Sequence, residues 1–438
     1  MTTSQTLPLT ISVSQESSGS LFNRRAIMMS VTLYVAALIT FILLQIEFGI
    51  SPFGVSAAPH YLYQAESFLH GRWDLTLTQP LWDTIHLHGK TYDVYPPFPA
   101  LLMLPFVAIF GLHTSDIFIT TALSALNLPL LYLLLEQARL SGHSTRSQRE
   151  HLIMSMLLSF GSINLYLSLG GRVWFTAQIL CMTCALGSLL LAFRRHFGWS
   201  AALMGCAFLT RGTMALGFPL ILYFAWQNGG AERAFEDFMR SLWQRRPAWD
   251  TIPWSRLLPP LAIFVGVIAL FLLRNTLVFG SPLESGYNLM NQQNYPEIQH
   301  GVYSLYYVQR NLIASFFDFP RVTFASSFAQ MPTVSLVSDG MGISVFITTP
   351  IFLFLFAKNS RPSALRVALW LTIALIVAQA LLFCATGYYQ FGARYLYDAY
   401  PFAFLLLGLV ERRVDWRFVA LGVFAIVINA MGAHQFWG

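Results

Sequence analysis

Apolar runs long enough to matter to a bilayer follow one another almost from end to end of this chain. They fall at roughly 26–46, 97–111, 116–136, 152–169, 174–193, 200–225, 259–279, 341–357, 365–386, 395–410 and 418–436. That makes about eleven segments to set against the ~20 residues a bilayer core requires. A water-soluble fold has no interior large enough to hide them, and only 11% of the 438 residues are charged, against roughly 25% in an ordinary soluble domain. Backbone polar groups in lipid must be satisfied within their own segment, which leaves helices or closed barrels. Runs of this length predict an all-α polytopic membrane protein with about 9–11 transmembrane segments.

The formal net charge of +6 does not point to nucleic acid, because the cations sit in short clusters between the apolar runs, where they set orientation. Arg24 and Arg25, then Arg139, Arg146 and Arg149, the pair Arg194 and Arg195, the run from Arg233 to Arg256, then Lys358, Arg361 and Arg366, and finally Arg412, Arg413 and Arg417 are expected on the cytoplasmic side. Strict alternation of crossings cannot satisfy all of them, so two segments must turn back. The run 97–111 is short and carries Pro97, Pro99 and Pro105, which predicts a re-entrant half-helix. The run 200–225 is interrupted by Thr210-Arg211-Gly212-Thr213 and Gly217, which predicts a hairpin of two half-helices. Residues 1–22, rich in Ser, Thr and Gln, read as a disordered cytoplasmic tail, and 23–438 as one membrane domain with external loops at 48–95 and 281–340. The four cysteines all lie in apolar runs, and Cys181 and Cys184 read as small packing residues.

With that topology the polar chemistry gathers on one face. Arg211 is costly at membrane depth, by about 2.5–3.5 kcal/mol, and should meet a polar cavity, a carboxylate or a bound anion. Arg274 and Arg394 open or close neighbouring spans on the same side. The planar fork of an arginine suits phosphate oxygens, although each one alone also suits an interfacial anchor. The first loop supplies the carboxylates able to act as a base. Glu66 falls on a helical pattern with Tyr61, Ala65, Phe68 and Leu69, so its plainer role is a solvated helix face. Asp74 lies beside Arg72. Asp93 stands with Tyr92 and Tyr95 ahead of Pro96-Pro97, while Asp83 has no adjacent cation, is stiffened by Pro80 and is shielded by Trp82. His86 and His88 would need a third ligand to hold a metal, so no cofactor is indicated. In the second loop Tyr287, Asn288 and the Tyr-, Asn- and Gln-rich stretch after them suit sugar contact, as they would suit any interfacial loop.

Several stretches, taken in order, resemble the GT-C superfamily of integral-membrane glycosyltransferases, the group that includes protein O-mannosyltransferases and lipid A aminoarabinose transferases. They are PHYLYQAESFLHG and GKTYDVYPPFPALLMLPFVAIFG in the first loop and its exit, the LTRGT break, FGSPLESGYN, GISVFITTP and FGARYLYDAYPF. The resemblance covers the chain from about Leu21 onward. It implies transfer of a sugar from a polyprenyl-phosphate carrier to a glycan, lipid or protein acceptor at the outer face of the cell membrane, with a first-loop carboxylate as base and no nucleic acid involved. Arg211 and Arg394, with Arg274, would hold the lipid phosphate, and Tyr61, Tyr95, Tyr287 and Asn288 the remaining substrate. The chain departs from the pattern in one place: where the acid stands just after the first span, it has Ser56-Ala57-Ala58-Pro59. Asp83, Glu66 or Asp93 then takes over, Asp83 being the first choice. A lipid-linked sugar transporter or flippase, and a catalytically silent lipid-sugar binding protein, remain the rival expectations.

Overall fold

The structure, a computed structural model, describes residues 24–227, 244, 252–296, 298–327, 330–337, 340–357, 363–387 and 390–438. The expected tail and most of the cluster from Arg233 onward lie outside the described residues. Helix α1 (Arg24–Glu47) leads into a first loop that carries α2 (His60–Leu69) and the hairpin β1 (Thr84–Leu87) and β2 (Lys90–Asp93), and exits through α3 (Phe98–Phe110). Next come α4 (Asp116–Leu140), α5 (Gln148–Phe160), α6 (Asn164–Leu167), α7 (Val173–Phe193), α8 (Phe197–Phe208), α9 (Phe218–Gln227) and α10 (Trp254–Phe279). The second loop holds α11 (Tyr287–Asn294), α12 (Val308–Leu312) and the antiparallel ribbon β3 (Arg321–Ser327) and β4 (Gln330–Val337). The chain closes with α13 (Val345–Thr348), α14 (Ala364–Leu382), α15 (Tyr400–Leu409) and α16 (Trp416–Trp437).

Six of these helices, α1, α4, α7, α10, α14 and α16, are long and apolar enough to cross a membrane, and the chain is an all-α multi-pass membrane protein. The other expected segments are present in pieces. The run 152–169 breaks after Gly161 into α5 and α6. The run 341–357 becomes α13 and a 3-10 turn from Pro350, and 395–410 becomes the 3-10 turn Arg394–Ala399 and α15, with Pro401 in its first turn. Proline lacks the N–H needed to continue an i→i−4 ladder, so a helix restarts at it more readily than it runs through. These pieces are covered by neighbours, as backbone broken at membrane depth must be: Phe402, Phe404, Leu405 and Leu407 of α15 are all 0–1% exposed.

The two incomplete crossings have the expected shape. After α8 the chain is extended at Arg211 and turns through the 3-10 segment Gly212–Gly217. It then returns, so that Leu222 and Trp226 of α9 pack in one cluster with Phe197 at the start of α8. The result is a hairpin with Arg211 at its tip. Helix α3 also stays at one end of the bundle. Its first N–H, of Phe98, donates to the Leu209 carbonyl near that tip, and it leads through Gly111–His113 to the head of α4, where the Ser115 hydroxyl donates to the Gly54 carbonyl.

The same end receives the tail of α1, whose Gln45 amide donates to Thr121 of α4 and to the Leu169 carbonyl, and the head of α7, whose Val173 N–H donates to the Ala58 carbonyl. It also receives the tail of α10, where Arg274 donates to the Asp93 carbonyl, and the segment after α14, where Cys384 pairs with Val302. Both loops therefore meet above one end of the bundle. They share a small core of Tyr61, Leu62, Ile85, Val94 and Met103, packed against the head of α7 and Met290 of the second loop.

Candidate functional site

Asp83 opens the first-loop hairpin with a backbone φ of 58°, a left-handed conformation that aspartate and asparagine tolerate better than most side chains. That turn aims the carboxylate inward. Its Oδ1 accepts a hydrogen bond from the Tyr295 hydroxyl at 2.6 Å, and its Oδ2 accepts from the Tyr95 hydroxyl at 2.7 Å and from the Trp174 indole N–H at 3.0 Å. The donors come from the first loop, the second loop and the head of α7, so one carboxylate ties three elements together. Burial, followed by the Asp83 charge, holds the Tyr95 phenol well above its usual range, which keeps it protonated and donating. An ionised carboxylate has about four acceptor positions, so one more donor can still be received. Trp82 does not shield this group as its sequence position suggests. It is 72% exposed, and only its carbonyl turns in, to meet His60 Nε2.

Trp174 carries the geometry further. Its ring lies 6.0 Å from the guanidinium carbon of Arg394, within cation–π range, while its N–H is on Asp83. Arg394 is 6% exposed, donates from Nε to the Gly387 carbonyl at 3.1 Å, and has no carboxylate partner among the described residues. Gly387 fits because it is glycine: φ is +98°, and a Cβ there would stand 2.4 Å from Gln390 Oε1 and 2.7 Å from Arg394 Nε. A buried cation without a counter-ion is expensive, and an anion would relieve it.

Arg211 differs. Its Nε lies 2.7 Å from one Asp398 oxygen and 2.8 Å from the other, and Thr213 donates to the same carboxylate at 2.6 Å. The expectation of a carboxylate partner holds, but the partner belongs to the turn that begins with Arg394. Both guanidinium groups approach one ring, with Arg394 at 5.0 Å and Arg211 at 5.6 Å from the centroid of Tyr395. No described residue accepts from the Nη nitrogens of either. Removing one partner of a buried pair costs about 3–5 kcal/mol, and the Asp398 side chain is 1% exposed. Arg211→Ala is therefore expected to lower thermal stability in detergent markedly, with Arg211→Ala/Asp398→Ala recovering part of the loss. A melting curve for each variant checks this.

Of the other candidates, Tyr61 and Tyr287 are brought in. Burial raises the Tyr287 phenol, with Tyr395, Arg211 and Asp83 close enough to act on it, and the buried Tyr61 hydroxyl has no hydrogen-bond partner among the described residues while feeling Asp93 and Arg211. Three are placed elsewhere. Glu66 stays on the outer flank of α2, where His70 approaches it at 3.5 Å. Arg274 is engaged with the Asn275 side chain and the Asp93 carbonyl. Asn288 is exposed and donates to Glu284. Asp93 lies 2% exposed beneath the site, its carboxyl raised by burial, one oxygen accepting from the Tyr95 N–H and the other without a partner among the described residues. Two of the second-loop amides expected to meet sugars are occupied with the protein itself. Gln293 pairs with both backbone groups of His86, and Asn294 donates to the Thr84 carbonyl, so α11 clasps the hairpin that carries Asp83.

Sequence reasoning did not single out Trp174, Tyr295, Asp398 or Asp116. Asp116, at the head of α4, accepts from the Ser56 N–H at 2.8 Å and its hydroxyl at 2.6 Å. A carboxylate thus does stand where the chain lacks its own, brought from another segment. The signals were present in that tryptophan and those acids at span ends, but nothing local marks which loop each will face.

No family model matches this chain, and no curated protein does. Among solved structures it is similar to ArnT from Cupriavidus metallidurans bound to undecaprenyl phosphate, at 17% identity over 91% of this chain and 63% of that one, with a TM-score of 0.49. It is also similar to the archaeal oligosaccharyltransferase AglB from Archaeoglobus fulgidus in complex with an inhibitory peptide and a dolichol-phosphate. There the identity is 15% over 94% of this chain and 56% of that one, with a TM-score of 0.46. This chain spans 63% and 56% of their lengths.

Proposed function

We propose that the protein is a membrane glycosyltransferase that moves a sugar from a polyprenyl-phosphate-linked donor to an acceptor at the outer face of the membrane. The observation that carries this is Trp174, which holds a carboxylate through its N–H and, against its ring, a buried guanidinium that has no carboxylate partner among the described residues. An acid–base group and an anion-binding group one indole apart are what a glycosyl phosphate requires. The acceptor hydroxyl attacks the anomeric carbon and loses its proton to Asp83, while the bond to the phosphate oxygen breaks and its electrons stay on the phosphate. Arg394 and the free nitrogens of Arg211 offset that charge. Asp83 and Arg394 thus take the roles of base and phosphate anchor.

The direct test supplies the purified protein, in nanodiscs, with polyprenyl-phosphate-linked sugars and a panel of acceptors, and measures free polyprenyl phosphate released. Acceptor-dependent release is expected. Tight donor binding with no release from any pairing would make the protein a silent lipid-sugar binder instead. Transport is less well supported, because the described intramembrane charges near the site, Arg211, Arg394 and Asp398, sit at one end of the bundle rather than along a path through it.

The outer placement rests on the described cations. Arg139, Arg146, Arg149, Arg194, Arg195, Arg256, Arg366, Arg412, Arg413 and Arg417 all fall at the end opposite Asp83, at the turns joining α4 to α5 and α7 to α8, the starts of α10 and α14, and the turn before α16. Positive charge marks the cytoplasmic side. With an impermeant thiol reagent on whole cells, cysteines at 83 and 303 should label from outside and one at 143 only after permeabilisation. Outside labelling of 143 would invert the assignment. Tyr388, Arg245 and Arg361, useful positions for the same scan, lie outside the described residues.

A further inference from the structure

The stretch of the second loop from Tyr303 to Ile313 is fastened to the last turn of α14. The Ser304 N–H donates to the Leu382 carbonyl at 2.9 Å, and the Cys384 N–H to the Val302 carbonyl at 2.9 Å. Buried Asn311 sets its amide nitrogen 3.3, 3.0 and 2.7 Å from the carbonyls of Ala380, Leu381 and Phe383, acceptors that a helix end leaves without partners of its own. The Gln379 amide, one turn earlier, donates to the Tyr303 hydroxyl at 2.7 Å. Held at both its ends, the stretch keeps the level of the helix end.

That level follows from the helix itself. The 19 residues of α14 span roughly 28 Å at 1.5 Å per residue, close to the thickness of a bilayer's hydrocarbon core. Val367, Leu371 and Leu375, four residues apart and each at least half exposed, mark its lipid-facing stripe. Its last turn therefore stands where acyl chains give way to headgroups, and whatever is fastened to that turn stands there too. At this depth the stretch shows apolar surface: Leu305 is 81%, Tyr306 68% and Ile313 48% exposed. Leucine, isoleucine and tyrosine together suit the membrane interface. Arg310, the one charged residue from Tyr303 to Ile313, is engaged with the Asn311 side chain and the Cys384 carbonyl, so the surface fits lipid in general rather than an anionic headgroup. We infer that this stretch is an interfacial foot, with Leu305, Tyr306, Leu312 and Ile313 dipping into the leaflet on the Asp83 side. Rings join the foot to the candidate site: Phe383 lies 5.6 Å from Tyr303 and 5.2 Å from Tyr395, the ring that both guanidinium groups approach. The foot thus sets the depth at which Arg211 and Arg394 meet the membrane, whether or not the protein transfers a sugar.

The test attaches a spin label to Leu305→Cys, Tyr306→Cys and Ile313→Cys of the full chain in phosphatidylcholine vesicles. It compares collisions with oxygen, which concentrates in lipid, and with a nickel chelate, which stays in water. Leu371→Cys on α14 gives the lipid reference and Lys90→Cys on the first-loop hairpin the aqueous one. The four native cysteines are buried or half-buried, and the unsubstituted protein supplies the blank. All three foot positions are exposed, so these variants should melt with the parent; Leu312→Cys replaces any that does not. Collisions dominated by oxygen at the foot, as at 371 and the reverse of 90, are expected. Nickel collisions at 305 and 306 equal to those at 90 would lift the stretch clear of the bilayer and overturn the assignment. Protection from both reagents would overturn it as well, because protein, a second copy of this chain included, would then cover the residues in place of lipid.

Discussion

Arg394→Ala should lose donor binding by about 10- to 150-fold, the equivalent of roughly 1.5–3 kcal/mol for a charge-assisted contact, and transfer should become undetectable at donor levels that saturate the parent. The fold should survive. Arg394 has no carboxylate to abandon among the described residues, and its side chain makes one hydrogen bond to them, from Nε to the Gly387 carbonyl, a charge-assisted contact worth roughly 1.5–3 kcal/mol, less than the stranding of a buried charge. This separates it from Arg211, where the same substitution strands Asp398. Arg394→Lys should recover only part of the affinity, because an ammonium keeps the charge but not the planar fork. Isothermal titration with polyprenyl phosphate, beside a melting curve, reads both quantities. An Arg394→Ala protein that melts like the parent and still binds polyprenyl phosphate as tightly would remove the phosphate site from this residue.

The second large effect is expected at Asp83. Asp83→Asn should reduce transfer by about 100-fold or more, the usual contribution of a general base, while donor affinity changes little. Asparagine is the informative replacement: it tolerates the left-handed backbone at this position, and its carbonyl oxygen still accepts from Tyr95 or Trp174, so what it chiefly removes is the capacity to take a proton. If Asp83 serves only to clamp the two loops to α7, the variant will instead melt earlier and lose donor affinity in step with activity. Full activity in Asp83→Asn would shift the search to Asp93, buried beneath the site with one oxygen lacking a partner among the described residues, and to Asp116, held against Ser56. Glu66 is the weaker successor, since it faces outward beside His70.

What was legible in the sequence has one physical character. The apolar runs, the prolines of α3, the Arg211-Gly212 break and the cation clusters act through the chain within a turn or two of themselves. From them follow the membrane class, the two incomplete crossings and the gathering of both loops at one end. They also placed Arg211, Arg394 and Asp83 at that end. Even there, length alone overstated continuity, because an apolar run is equally consistent with one helix or with two pieces restarted at a proline, as at Pro350 and Pro401, and only burial by neighbours tells them apart.

The working parts of the site were decided by the tertiary structure. Asp83 receives Trp174 from 91 residues away and Tyr295 from 212, and Arg211 finds Asp398 across 187. Such pairs depend on how each helix is rotated and how deep it sits against the next, which is set by the sum of many packing contacts and leaves no periodic mark in the sequence. For the same reason the amides of Gln293 and Asn294, read from composition as partners for a sugar, turned out to hold a β-hairpin. A polar side chain advertises that it will make hydrogen bonds, and the fold alone chooses with what.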